Sequence, residues 1–128
     1  MTRIPYHKPW TGEPEARAVL KALTEGNLVG NGKLSNEFQK RMAAYVGTRH
    51  ALFTPSCTAA FSLGMMGLGV KPGNEVVLPS FSFVSIANAV ISLGAKPVFA
   101  DIDPKTFNLD PAAVEEVLTK RTRFLVPV

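Results

Sequence analysis

The chain has 128 residues, of which 46% are hydrophobic and 19% charged, and its formal net charge is +4. This length suffices for one modest domain of ordinary globular composition. Its apolar runs fall short of the ~20 residues that a membrane-spanning helix needs. The first five residues lack the apolar core of a signal peptide, which predicts a cytoplasmic location without a membrane partner. The single cysteine, Cys57, excludes an internal disulfide framework and a zinc site built on cysteines.

The basic residues are scattered along the chain instead of being grouped with aromatic residues, so no nucleic-acid partner is predicted. The small basic excess would also suit an anionic, phosphate-bearing substrate. The two histidines, His7 and His50, stand without the spacing of metal ligands, so no metal site is predicted either.

The N-terminal part of the sequence predicts an extended arm and two helices. Residues 1–10 form the arm, and a helix then begins near Pro14, which suits a first-turn position. Gly26 is expected to end this helix and to open a glycine-bearing connection at 26–32. A second helix is expected at 35–46. Apolar residues repeat along one face of each helix: Ala16, Val19, Leu20 and Leu23 in the first, and Phe38, Met42 and Tyr45 in the second.

From residue 50 onward, short apolar strands alternate with helices. This alternation predicts an α/β fold with a largely parallel, four-stranded sheet covered by helices on both faces. Because the sequence ends within an apolar strand, we expect a larger domain that continues further, with a small four-stranded domain as the alternative. The strands are expected at 50–54, 75–78, 96–100 and 123–128, and the helices at 58–68, 83–93 and 111–120, the last capped by Asp110.

The first candidate site is the turn at 54–60, which leaves a predicted strand and enters a helix of small residues. A helix N-terminus offers free N–H groups and partial positive charge to a phosphate. Ser56 and Thr58 add hydroxyl groups, and the alanines that follow leave room for close approach. Ordinary N-capping by Ser56 or Thr58 is the alternative explanation.

The second candidate site is the turn at 79–85, at the equivalent end of the next strand. Open α/β sheets bind ligands at the carboxyl ends of their strands. An aromatic residue there could stack on a planar cofactor ring. The pattern alone, however, favours Phe81 and Phe83 as ordinary core residues.

Other phosphate-binding and nucleophilic motifs do not fit. Residues 30–33 lack the leading glycine of a Walker A loop, and the glycine pattern of a dinucleotide site does not occur. Cys57 could be an activated thiolate at a helix N-terminus, but a cysteine phosphatase would need an arginine where Leu63 stands.

Nearly the whole chain resembles the DegT/DnrJ/EryC1/StrS family of sugar aminotransferases. The resemblance is carried by the Ser-Cys-Thr-Ala-Ala stretch at 56–60, the segment at 73–85, the strand and loop at 96–110, and the glycines at 26–32. Residues 54–59 and 79–89 are most similar to the subgroup of dTDP-4-amino-4,6-dideoxygalactose transaminases. Cys57 departs from the glycine that is commoner in the family, though not from that subgroup, and the change keeps the backbone donor.

The resemblance implies a fold-type I architecture, with an N-terminal arm, helix and loop at 1–34 and the first part of the cofactor-binding large domain at 35–128. It implies pyridoxal 5'-phosphate as the cofactor. It also implies a homodimer that moves an amino group from glutamate to a nucleotide-linked 4-keto-6-deoxy sugar for deoxysugar or cell-surface polysaccharide synthesis.

Site residues follow from the same resemblance. Cys57, Thr58 and Ala59 match the positions that contact the cofactor phosphate. Phe83 matches the aromatic residue that stacks on the ring, with Phe81 as the reserve candidate. Pocket-lining positions are Ser85 and Asn88.

The family's catalytic lysine lies beyond the matched region, so the resemblance assigns no catalytic residue here and implies that these 128 residues alone are inactive. A non-catalytic or regulatory homologue of the same fold remains one alternative. An unrelated small phosphate-binding module is the other.

Overall fold

The computed structural model describes residues 4–26 and 28–128. They form two compact units, the first ending at Phe53 and the second beginning at Thr54. The first unit therefore includes the second predicted helix, which the sequence division after residue 34 placed with the large domain. The assignment of 35–128 to a cofactor-binding large domain stays a prediction. In the described ranges, no helix has the length and apolar character needed to cross a membrane.

The first unit contains two helices, α1 (Glu13–Glu25) and α2 (Lys33–Val46), close to the predicted ranges. Glycine ends both, because the left-handed backbone at each C-terminus suits a residue without Cβ: φ is 70° at Gly26 and 72° at Gly47. Residues 1–3 of the predicted arm and residue 27 of the predicted connection lie outside the described residues.

The predicted strand at 50–54 is wrong: these residues form no strand. The Phe53 N–H donates to the side-chain oxygen of Gln39 at 2.9 Å, and the Phe53 ring meets Phe38 edge-to-face at 5.3 Å. Both partners belong to α2, so the segment is held by a helix and not by a neighbouring strand. The apolar face predicted for α2 is also less buried than expected, since only Ala43 of that helix is buried.

The second unit begins with a helix and then alternates strands and helices, as predicted. Its sheet has three parallel strands, with β1 in the centre and β2 and β3 on either side, instead of the four strands expected. The elements are α3 (Cys57–Gly67), β1 (Glu75–Pro79), α4 (Ser85–Ser92), β2 (Lys96–Ala100), α5 (Pro111–Val117) and β3 (Thr122–Leu125).

The core of this unit lies between β1 and the helices α3 and α4. Every residue of β1 is buried. Val76 and Leu78 of that strand share one cluster with Met65 of α3 and Val90 of α4. Strands β2 and β3 are only partly buried, so the expectation of strands covered on both faces is confirmed for β1 alone.

A buried carboxylate ties the three strands together at their amino ends. Glu75 opens β1 and is 2% exposed. Its Oε1 accepts hydrogen bonds from Arg121, at 2.8 and 3.1 Å, and lies 3.6 Å from Lys96 Nζ. The Thr119 hydroxyl donates to the other oxygen. That hydrogen bond, followed by the Arg121 and Lys96 contributions, holds the pKa of Glu75 below its ordinary value of 4.5, although burial opposes the shift.

Candidate functional site

The N-terminus of α3 forms the first part of the site. Ser56 is the N-cap residue, and its Oγ accepts the Ala59 N–H at 3.1 Å. The first N–H groups of a helix have no acceptor within it. Since the cap takes the donor of Ala59, the N–H groups of Cys57 and Thr58 are the first-turn donors left for a ligand, and both residues are exposed.

The predicted alternative of N-capping is thus confirmed for Ser56, and it is compatible with the predicted phosphate contact at Cys57 and Thr58. The cap consumes one donor and fixes the direction of the others. The cap also changes the phosphate contact predicted for Ala59, because the N–H of Ala59 already has a partner within the chain. Ala59 contributes a small, half-buried side chain beside the free donors.

The turn between β1 and α4 forms the second part of the site. Its shape is fixed by Ser82, which donates from its N–H to the Ser80 oxygen at 3.0 Å and from Oγ to the Pro79 oxygen at 3.2 Å. Phe81 is 61% exposed and Phe83 is 73% exposed. The interpretation of these two as core residues is therefore wrong. Neither ring belongs to the hydrophobic cluster formed by β1, α3 and α4.

Both parts lie at the same end of the sheet. Residues 68–74 connect α3 to β1, and residues 80–84 connect β1 to α4. Since both helices pack on β1 in one cluster, both run antiparallel to it. Their N-termini consequently both lie toward the carboxyl end of β1, where open α/β sheets bind ligands. Glu75 and its partners lie at the opposite end.

The two pocket-lining predictions fall on α4. Ser85 is the first residue of that helix and is half-buried, and Asn88 is exposed in its first turn. Both therefore lie at the same end of the sheet as Phe83. Their contact with a substrate stays a prediction.

One aromatic residue at this end of the sheet was not predicted from the sequence as part of the site. Phe107, in the loop after β2, lies with its ring centroid 5.5 Å from that of Phe81 and is 57% exposed. The loop is shaped by Asp103, whose Oδ1 accepts the Lys105 N–H at 2.6 Å. Asp103 thus stabilises the loop, but no local sequence pattern indicates that the loop brings an aromatic ring to the preceding turn.

Among the described residues, few features away from this end of the sheet suggest another binding or catalytic site. Within them, no three His, Cys, Asp or Glu side chains come together as metal ligands would. In the first unit, α1 and α2 line a groove whose lining includes charged residues, namely Lys21, Glu25, Lys33 and Glu37. None of the predicted site residues lies in it.

The fold and the site define a class: an α/β unit with a parallel sheet whose carboxyl end carries an open helix N-terminus and an exposed aromatic ring. Among solved structures, Spr1654 of Streptococcus pneumoniae in its PMP form aligns with a TM-score of 0.90 and 30% identity, covering 98% of this chain and 32% of that one. The same protein is also known in a PLP form.

The chain belongs to the DegT/DnrJ/EryC1/StrS aminotransferase family, whose model matches residues 10–128. Pyridoxal phosphate is the cofactor of this family. The spore coat polysaccharide biosynthesis protein SpsC of Bacillus subtilis (strain 168) is 43% identical over 125 residues, or 98% of this chain and 32% of its own length. The GDP-perosamine synthase of Caulobacter vibrioides is 37% identical over 128 residues, or 100% of this chain and 34% of its own. The chain thus spans about a third of these relatives.

Proposed function

We propose that this chain supplies the phosphate-binding and ring-stacking wall of the pyridoxal phosphate site in a sugar aminotransferase. The observation that carries the proposal is that two features lie at the same end of the sheet, the carboxyl end of β1. The N-terminus of α3 presents the free N–H groups of Cys57 and Thr58, and the neighbouring turn exposes Phe83. Together they suit a ligand that has both an anionic group and a flat ring.

The residues present fit the cofactor. A phosphate at α3 would receive the two backbone N–H groups, the Thr58 hydroxyl and the positive end of the helix. The small side chain of Ala59 leaves room for its approach. Phe83 would cover one face of the ring and exclude water from it. When bound, the cofactor supplies an electron sink for amino-group transfer, and this chain's residues hold and orient it.

The substrate is proposed at two levels. The name of GDP-perosamine synthase specifies a nucleotide-linked amino sugar, and SpsC is named for polysaccharide biosynthesis. These names support a nucleotide-linked keto sugar for this protein. The resemblance to dTDP-4-amino-4,6-dideoxygalactose transaminases refines the proposal to a dTDP-linked 4-keto-6-deoxyhexose with glutamate as the amino donor. A cytoplasmic homodimer completes the proposal.

The cofactor site is tested by two substitutions in the native gene product. Thr58→Val should weaken pyridoxal phosphate binding by about 1–3 kcal/mol, because a hydrogen bond to a charged group is lost. Phe83→Ala should weaken it through lost stacking, by about 0.5–1.5 kcal/mol. Cofactor affinity is measured by equilibrium dialysis.

The control substitutions are Thr122→Val and Leu118→Ala, which remove a hydroxyl group and an exposed apolar side chain near the amino end of the sheet, opposite the proposed site. Cofactor affinity in both controls should equal that of the wild type. Equal affinity in all five proteins would contradict the assignment of Thr58 and Phe83.

The substrate is tested with glutamate and a panel of dTDP-, UDP- and GDP-linked keto sugars, with amino-sugar formation followed by mass spectrometry. Amination of the dTDP-linked 4-keto-6-deoxyhexose above the others is expected. Amination of only a GDP- or UDP-linked sugar would contradict the dTDP-linked 4-keto-6-deoxyhexose as substrate. It would still support a nucleotide-linked keto sugar. Cofactor binding without amination of any sugar would favour a regulatory homologue.

A further inference from the structure

Phe107 has a left-handed backbone, with φ at 59°. That conformation costs free energy in any residue with a bulky side chain, so the surrounding contacts must impose it. The loop around it supplies those contacts. The Phe107 N–H donates to the Asp103 oxygen at 2.8 Å, and the Asp103 N–H donates to the Asn108 oxygen at 2.9 Å. Ile102 and Leu109 close the base of the loop in an antiparallel bridge.

Burial of the Phe107 ring does not explain this arrangement, because 57% of the residue stays exposed. The ring instead lies against Phe81, with centroids 5.5 Å apart and planes tilted by 30°. This distance is within the range in which aromatic rings attract each other. The constrained loop after β2 thus holds a ring against the turn that follows β1.

Phe81 belongs to the same turn as Phe83. Ser82, between them, ties this turn to Pro79 through its hydroxyl and to Ser80 through its N–H. These two hydrogen bonds hold Phe81 and Phe83 in one short turn, two positions apart. The loop after β2 thus contacts the turn that carries the proposed ring-stacking residue.

We propose that Phe107 is a positioning residue: it supports Phe81 and thereby fixes the turn that presents Phe83 to the cofactor ring. This inference rests on the proposed cofactor site. It also assigns a role to the left-handed backbone of Phe107, which accompanies the contact of its ring with Phe81.

The test uses the native gene product and pyridoxal phosphate itself as the probe. Phe107→Asn removes the ring and keeps a residue that tolerates the left-handed backbone. It should raise the Kd for pyridoxal phosphate by about two- to tenfold, the loss of one aromatic pair. It should also weaken the visible circular dichroism of the bound cofactor. Phe107→Tyr keeps the ring and should restore both signals. Leu118→Ala, of similar exposure near the amino end of β3 at the opposite end of the sheet, should leave both unchanged.

A double substitution separates positioning from direct contact. In a Phe81→Ala background, Phe107→Asn should cause no further change in Kd, because both act through one path. Additive losses would show that Phe107 reaches the ligand directly and would overturn the inference. So would a Phe107→Asn protein that unfolds more easily but binds the cofactor like the wild type.

The same experiment distinguishes failure of the inference from failure of the proposed function. If Phe83→Ala weakens cofactor binding and Phe107→Asn does not, positioning by Phe107 is refuted and the cofactor site stands. If the wild type does not retain pyridoxal phosphate, the site and the positioning role are both refuted.

Discussion

Gly94 ends the turn between α4 and β2, and two separate features oppose a side chain there. Its φ is 74°, a backbone conformation that costs an alanine about 1–2 kcal/mol. A Cβ at this position would also lie 2.7 Å from Cγ of Pro72, closer than real Cβ contacts allow. The proline ring is stiff and cannot turn aside as a long flexible side chain would, so the overlap should cost a further ~1–3 kcal/mol.

Gly73 provides the matched control for the backbone contribution. Its φ is 87°, but a Cβ there would meet nothing within 4 Å. Gly73→Ala should therefore lower the free energy of unfolding by only about 1–2 kcal/mol. Gly94→Ala should lower it by about 2–5 kcal/mol, the sum of the backbone and overlap contributions. Urea-induced unfolding followed by far-UV circular dichroism measures both values.

Pro72→Ala isolates the overlap. It removes the Cγ and Cδ atoms that the new methyl group would meet, so the double substitution with Gly94→Ala should recover about 1–3 kcal/mol relative to the sum of the single changes. The reasoning would be refuted if Gly94→Ala and Gly73→Ala were equally destabilising, or if the effects of Pro72→Ala and Gly94→Ala simply added.

Two further predictions concern the helix cap and the buried carboxylate. Ser56→Ala should lower the free energy of unfolding by about 1 kcal/mol through loss of the cap, whereas Ser62→Ala, within α3, should change it little; equal effects of the two would contradict the cap. Because the pKa of Glu75 is lowered on folding, its carboxylate contributes stability that is present above pH 4.5 and is lost as the pH falls through the folded-state pKa. Glu75→Gln should remove this part of the acid dependence, and pH–stability profiles of the same steepness in both proteins would argue against it.

The elements that sequence reasoning predicted best are those with local causes. Glycine and proline mark the limits of α1 and α2, and β1 and β2 are short apolar runs between turns. The segment at 50–54 has the same apolar pattern, yet its hydrogen bonds go to a helix side chain. A strand requires a partner strand, which the local pattern does not encode.

The candidate site shows a similar division. Local residue preferences predicted a cap at Ser56 or Thr58 and a helix from residue 58; the structure confirms the cap at Ser56 and begins the helix one residue earlier, at Cys57. The exposure of Phe83 and the pairing of Phe107 with Phe81 depend on what the core already contains and on one residue's backbone. Hydrophobicity patterns predict burial for such aromatic residues, because they report apolar character and not the space available.

Glu75 also bears on the order in which the second unit assembles during synthesis. Thr119 and Arg121, which satisfy its carboxylate, follow it in the chain by 44 and 46 residues. Until they leave the ribosome, the most apolar strand of the unit begins with an ionised group that has no such partners, and burying it would be costly. Strands β2 and β3 likewise follow β1 in the sequence. The carboxylate that stabilises the finished sheet should therefore disfavour premature pairing of β1, either within the nascent chain or with a neighbouring molecule.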